Sequence, residues 1–318
     1  MLIQFLLLFA GLALVVFGAD SLVDGASALA RRFGLSEFVI GLTIVGMGTS
    51  APEMVVSFIG AAHGNADIAI GNVVGSNLFN TLLILGITAL ILPMPITRNN
   101  RRRDIPVNLG ITLLLILLGM KESLFGLGRD GLSRIDGGIL LLLFILYMWS
   151  SFRNNEKPKD TADAAPPKKL WVSLLMIAGG LAGLVIGGNW FVDSATEIAK
   201  GFGVSDKFIA ITLLAGGTSM PELATCVVAA AKKKGQLALG NIIGSNIFNI
   251  LLILGGSALI TPLSFAGLTW IDLAALFASA VALVGCIFIG RRNELDRLDG
   301  SLFLLIWVAY MTWLIIHL

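Results

Sequence analysis

Charge is scarce in this 318-residue chain, at 13% Asp, Glu, Lys and Arg, against about 25% in soluble domains. So little charge cannot cover a water-facing surface of this size, which excludes a soluble globular class. Cysteine and histidine are scarcer still, two of each. Cys226 and Cys286 sit in apolar segments without metal-type spacing, so neither a disulfide framework nor a Cys/His metal site is expected. His63 is expected in an exposed turn and His317 at a membrane interface. No nucleic-acid motif occurs, and the basic clusters are short and lie beside apolar runs. Within those runs there is no nucleophile–base pair and no histidine-rich motif. An intramembrane enzyme therefore ranks last among the functional classes, and no resident cofactor is expected.

What the chain does have is apolar length, with 56% hydrophobic residues. The expected class is an all-α polytopic membrane protein. Ten spans can be placed, at 2–19, 37–61, 68–92, 105–120, 133–151, 170–193, 206–230, 237–260, 268–289 and 299–316. Near the start, Val16-Phe17-Gly18-Ala19 resembles a signal-peptidase site, but no basic segment precedes it and the run has a counterpart in the second half; it reads as a membrane helix. The one extended polar segment, 153–169, carries Pro158, Pro166 and Pro167 and divides the chain into five-span sets at 1–152 and 170–318. A shift of 169 residues aligns Ser36–Gly86 with Ser205–Gly255 without a gap, with 23 of 51 positions identical. Matching leucines could be compositional. Thr43/Thr212, Pro52/Pro221, Glu53/Glu222, Asn72/Asn241, Ser76/Ser245 and Asn80/Asn249 are not.

Lys and Arg fall unevenly between alternate loops. Seventeen of the 22 lie on one side, including Arg101–Arg103, Lys168, Lys169 and Lys232–Lys234. The positive-inside rule makes that side cytoplasmic, places the linker there, and puts both termini outside the cell membrane. An odd number of spans per half makes the repeats inverted, an architecture of secondary transporters with a site where the repeats meet.

Gly48-Thr49-Ser50-Ala51-Pro52-Glu53 lies deep in one apolar run, and Gly217-Thr218-Ser219-Met220-Pro221-Glu222 repeats it. A carboxylate at the bilayer centre costs about 2.5–3.5 kcal/mol on insertion scales, and each proline frees a backbone carbonyl. In the following spans Asn72, Ser76 and Asn80, and likewise Asn241, Ser245 and Asn249, recur every four residues as polar stripes. Everything polar at this depth is an oxygen donor, which suits hard cations such as Na⁺ and Ca²⁺. Two carboxylates carry a charge of −2, matched by one Ca²⁺ or two Na⁺, so ions of different valence can compete for one cage. A lone glutamate here could instead be a buried protonated acid. Its repetition with Pro, Thr and Ser at identical offsets argues against that.

These residues carry a resemblance. The paired GTS-x-PE stretches, each followed by GN-x-x-GSN-x-FN at Gly71–Asn80 and Gly240–Asn249, resemble the two α-repeats of the cation/calcium exchanger superfamily, and most closely the short prokaryotic sodium/calcium antiporters. The resemblance covers essentially the whole chain. It implies ten helices, alternating access and exchange of Na⁺ for Ca²⁺. It also implies that Glu53 and Glu222 bind both ions and that Thr49 and Thr218 contribute to the Ca²⁺ site. Ser50, Ser76, Ser219 and Ser245 would serve flanking Na⁺ sites, with carbonyls at Gly46 and Ala215. Some relatives, K⁺-dependent ones among them, carry aspartate where this chain has Asn249, which argues against K⁺ cotransport. Proton/Ca²⁺ exchange by the same glutamates and a cation channel are the competing functions.

Several residues keep two readings. Asn77 and Asn246 are either packing hydrogen-bonders or ligands, and the glycines and serines at 71–76 and 240–245 either permit close helix packing or serve the site. Asp24 and Asp193 are expected to be interfacial or helix-pairing groups, Asp24 near Arg31. The arginine clusters set topology first, with lipid as a neighbour. A monomer is carried as the expectation, with the oligomeric state left open.

Overall fold

The computed structural model describes residues 2–64, 66–126, 129–155, 168–203, 215–288 and 293–317. Among them the helices of ten residues or more are α1 (Leu2–Phe33), α2 (Glu37–Thr49), α3 (Ala51–Ala62), α4 (Ile68–Ile91), α5 (Ile105–Gly119), α6 (Arg134–Arg153), α7 (Leu170–Gly201), α8 (Met220–Ala231), α9 (Gly235–Ile260), α10 (Trp270–Gly285) and α11 (Arg297–His317). Six of these are long and apolar enough to cross a membrane, or seven if the bent pair α2–α3 is one span. The expected span 206–230 is described only from 215 onward. Most of the linker, all of residues 204–214 and Arg291 and Arg292 lie outside the described residues.

One expectation needs correction. The first and sixth spans were placed at 2–19 and 170–193, but α1 and α7 are each 32 residues long. The apolar run ends at Asp20, yet the helix continues because Leu22, Val23, Ala26, Leu29 and Ala30 stay buried on one face. At 1.5 Å per residue each helix is about 48 Å long, well beyond a hydrocarbon core of about 30 Å. The described residues are mostly helical, as the sequence predicts. Four two-residue strands, β1 (Met94–Pro95), β2 (Gly131–Leu132), β3 (Leu263–Ser264) and β4 (Glu294–Leu295), pair antiparallel as β1 with β4 and β2 with β3.

The core sits on α9 and α4. Of their apolar stretches 94% and 67% are buried, against 11–28% for α1, α6, α7 and α11, which form the periphery. Small residues let the backbones close up. A Cβ at Gly11 would stand 2.7 Å from the Gly187 carbonyl oxygen, and one at Gly180 would stand 2.7 Å from that of Gly18, where α1 crosses α7. Likewise a Cβ at Gly300 would stand 2.8 Å from the Gly86 carbonyl oxygen, and one at Gly137 2.7 Å from that of Gly255. Each of these glycine contacts between the halves thus has a counterpart with the halves exchanged. Within each half the fourth and fifth long elements are tied alike, by Tyr147 Oη donating to Asp104 at 2.9 Å and Tyr310 Oη donating to Asp272 at 2.8 Å.

At one end of α1, Lys232 bridges Asp20 and Asp24, each at 2.7 Å. Asp24 is therefore a helix-pairing group as expected, but toward the lysine turn after α8 and not toward Arg31. His63 caps the C-terminus of α3 and is exposed.

Candidate functional site

Both GTS-x-PE stretches break their helix at the same residue. Ser50 adopts φ −82°, ψ 7° and Ser219 adopts φ −90°, ψ 7°. Proline lies in the first turn of the helix that follows, where its missing N–H costs nothing. The break bends α2 against α3 by 48°. Glu53 and Glu222 then fall in the first turns of α3 and α8, where the helix dipole favours a carboxylate. Thr49 is the last residue of α2. Its hydroxyl donates toward the Val45 carbonyl at 3.1 Å and stands 3.1 Å from Asn241 Oδ1.

The two breaks meet. Ser50 Oγ donates to Glu222 Oε1 at 3.0 Å, and Ser219 Oγ donates to Glu53 Oε1 at 3.1 Å. Both glutamates are 1% exposed. Ser245 on α9 brings its hydroxyl within 3.5 Å of both Glu222 Oε1 and the Gly46 carbonyl oxygen. That carbonyl also receives the Ser50 amide at 3.1 Å. Ala215 opens a short helical turn, Ala215–Gly217, just before the second break.

Several buried polar atoms have no hydrogen-bond partner among the described residues. They are Glu53 Oε2, Glu222 Oε2, Asn80 Oδ1, Asn249 Oδ1, Ser76 Oγ and Thr218 Oγ1, with Thr225 and Ser257 nearby in sequence. An unsatisfied buried polar group costs about 1–3 kcal/mol, so six at sequence-expected site residues call for an explanation. Both carboxylates and both amides are involved, and what they leave unpaired is an acceptor. Oxygen acceptors of this kind fit a hard cation.

The polar stripes run into π-helical turns at Phe79–Ile84 and Phe248–Leu254, which hold Asn80 and Asn249, and a third widens α2 at Gly41–Val45. Such bulges recur at functional sites. Asn72 Nδ2 donates to the Glu53 carbonyl at 3.2 Å and to Ser57 at 3.1 Å. Its counterpart Asn241 donates instead to the Cys226 sulfur at 3.3 Å. Asn77 and Asn246, for which the sequence left packing and ligation open, hydrogen-bond the amides of Asn249 and Asn80. Their spacing of three residues before a stripe asparagine was the available signal. Gly240 and Gly244 serve packing: a Cβ there would stand 2.3 and 2.4 Å from the carbonyl oxygens of Phe38 and Leu42. A cavity of about 490 Å³ reaches the breaks, lined by Pro52, Gly217, Thr218 and Pro221 and by Asn189 and Asp193 of α7.

A buried acidic pair packed among long apolar helices is costly and marks a path for charge; the class is that of multi-pass membrane transporters. Comparison with known proteins narrows it. The family described as sodium/calcium exchanger protein matches residues 3–153 and 172–316. The inner membrane protein YrbG of Escherichia coli is 35% identical over 339 residues, covering 99% of this chain and 98% of YrbG. The sodium/calcium exchanger MaX1 of Methanosarcina acetivorans is 33% identical over 346 residues, covering 97% of each. A solved structure of the sodium-calcium exchanger NCX_Mj, soaked with Na⁺ and Ca²⁺, superposes with a TM-score of 0.83 at 33% identity over 98% of each chain. The chain belongs to the sodium/calcium exchanger family.

Proposed function

We propose that this protein is a secondary antiporter that uses inward Na⁺ movement to expel Ca²⁺ by alternating access. Ten helices in two inverted five-helix repeats, 1–152 and 170–318, would surround a midplane site, with the 153–169 linker and the Arg101–Arg103 face cytoplasmic and both termini outside. The exchange of contacts between the halves supports the inverted repeat. The observation that carries the function is the reciprocal serine–glutamate pairing, which spends one oxygen of each carboxylate and leaves the other buried without a partner.

Ca²⁺ takes about 6–8 oxygens. Glu53 and Glu222 with Thr49 and Thr218 form the proposed Ca²⁺ set. Ser50, Ser76, Ser219 and Ser245 with the carbonyls of Gly46 and Ala215 form the proposed flanking Na⁺ set, and the amide oxygens of Asn80 and Asn249 complete the cage that the ions share. The charge of −2 is neutralised by either load, so binding one expels the other. The cavity beside Asp193 serves as the outer access path. On the repeat-related face the counterpart residue, Asp24, is bridged to Lys232, which supports closure on that side.

The test is ⁴⁵Ca²⁺ uptake into vesicles holding the purified protein. Uptake driven by an outward Na⁺ gradient at fixed pH is expected. Uptake indifferent to Na⁺ but driven by a pH gradient would assign proton/Ca²⁺ exchange instead. Unsaturable flux that needs no counter-ion would make the protein a channel.

A further inference from the structure

An asparagine helps to bind a cation only when it turns its oxygen, and not its NH₂, toward the ion. Nothing in the side chain's shape enforces that choice, since the two ends are nearly the same size. The partner of the other end must decide it. Asn80 and Asn249 each have such a partner. Asn249 Nδ2 donates to Asn77 Oδ1 at 2.9 Å, and Asn80 Nδ2 donates to Asn246 Oδ1 at 3.2 Å. All four residues are at most 2% exposed.

The first chain of bonds has a fixed direction. It ends on the backbone carbonyl of Asn246, which can only accept. Asn77 must therefore turn its Nδ2 there, at 3.3 Å. That leaves Asn77 Oδ1 facing Asn249, so Asn249 must offer its Nδ2 in return, and Asn249 Oδ1 points away with no partner among the described residues. The mirror chain ends on a hydroxyl, with Asn246 Nδ2 donating to Thr81 at 2.8 Å. A hydroxyl both donates and accepts, so the direction is less firmly set there. Asn249 lies four residues beyond Ser245, whose hydroxyl is 3.5 Å from Glu222 Oε1.

We propose that Asn77 and Asn246 are positioning residues, which orient the amides of Asn249 and Asn80 so that each presents its carbonyl oxygen to the cation. This rests on the reading of the paired glutamates as a cation site. Without Asn77, the Asn249 amide is free to rotate and to present its NH₂, whose positive end repels a cation. A carboxylate has no such wrong way round. Substituting Asn249 with aspartate therefore removes the need for Asn77, and even opposes it, because Asn77 Oδ1 would then face an anion.

The experiment is equilibrium ⁴⁵Ca²⁺ binding to purified, monodisperse protein, as a mutant cycle. Asn77→Ala is expected to raise the half-saturating Ca²⁺ concentration about tenfold, equivalent to about 1.4 kcal/mol. In the Asn249→Asp background the same substitution is expected to change it by less than about twofold. A purely structural role for Asn77, through the Asn246 carbonyl, would weaken binding equally in both backgrounds, and that result overturns the proposal. If Asn77→Ala is not monodisperse, the mirror cycle of Asn246→Ala with and without Asn80→Asp carries the same expectation, and equal losses there count against it. Wild-type protein that binds no ⁴⁵Ca²⁺ overturns the cation-site reading itself and the proposal with it.

Discussion

Glu53 and Glu222 are costly residues to bury, and their neighbours show what offsets the cost. Each receives a serine hydroxyl from the opposite break, Ser219 and Ser50 respectively, and Glu222 Oε1 also has the Ser245 hydroxyl within 3.5 Å. Glu53→Gln and Glu222→Gln are each expected to abolish Na⁺-driven ⁴⁵Ca²⁺ uptake while the protein still elutes as a single folded species; wild-type flux in either variant would mean the site lies elsewhere. Ser50→Ala and Ser219→Ala are expected to weaken Ca²⁺ binding by similar factors, about tenfold each, because each removes the shortest serine bond to one carboxylate, at 3.0 and 3.1 Å, against 3.5 Å from Ser245 to Glu222. A large inequality between them, read by ⁴⁵Ca²⁺ binding, would show that the two carboxylates do different work. The glutamates, their prolines and serines could be read from the doubled GTS-x-PE stretch. The crossing of Ser50 to Glu222 could not, since the two are 172 residues apart. The orienting role of Asn77 and Asn246 was equally hidden, because a sequence shows an amide but not which way it faces.

Elements pack where glycine permits and stop where burial stops. Gly137 and Gly138 are neighbours on α6 with opposite surroundings. A Cβ at Gly137 would stand 2.7 Å from the Gly255 carbonyl oxygen and 2.9 Å from Ala258 Cβ, whereas one at Gly138 meets no described atom within 4 Å. Gly137→Ala is expected to destabilise by about 1–3 kcal/mol through overpacking, and Gly138→Ala to be neutral or to stabilise by up to about 1 kcal/mol through helix propensity. Thermal unfolding in detergent separates the two. The ion pairs of Lys232 with Asp20 and Asp24 are partly exposed, so Lys232→Ala is expected to cost about 1 kcal/mol or less. Its difference from wild type should shrink as choline chloride is added, since salt screens such pairs and choline avoids loading the Na⁺ sites. The length of α1 was misjudged from hydropathy because that measure follows lipid contact. Beyond Asp20 the helix is held by one buried face and by Lys232, a partner more than 200 residues away.

At the scale of the whole molecule the distribution of Lys and Arg supplies an orientation that the folded chain can test directly. Cys226 and Cys286 are 0% and 2% exposed, so the wild-type protein should be silent to a membrane-impermeant maleimide. Against that background Arg129→Cys is expected to label from outside intact cells, and Arg102→Cys only after permeabilisation. Both side chains are exposed. The opposite pattern would invert the proposed topology and place the termini inside. The same inversion would turn the cavity beside Asp193 into a cytoplasmic path.

The linear chain was enough to specify a membrane class, a doubled half, the two acidic breaks and the family they resemble. All of these follow from local properties: hydropathy over one span, and the identity and spacing of residues within one repeat. What required the folded molecule is everything that joins one repeat to the other. This comprises the exchange of serines between glutamates, the glycine crossings of α1 with α7 and of α4 with α11, the lysine turn on Asp24 and the facing of each amide. Those contacts depend on how two similar halves dock in three dimensions, and a repeat in sequence states only that the halves are alike.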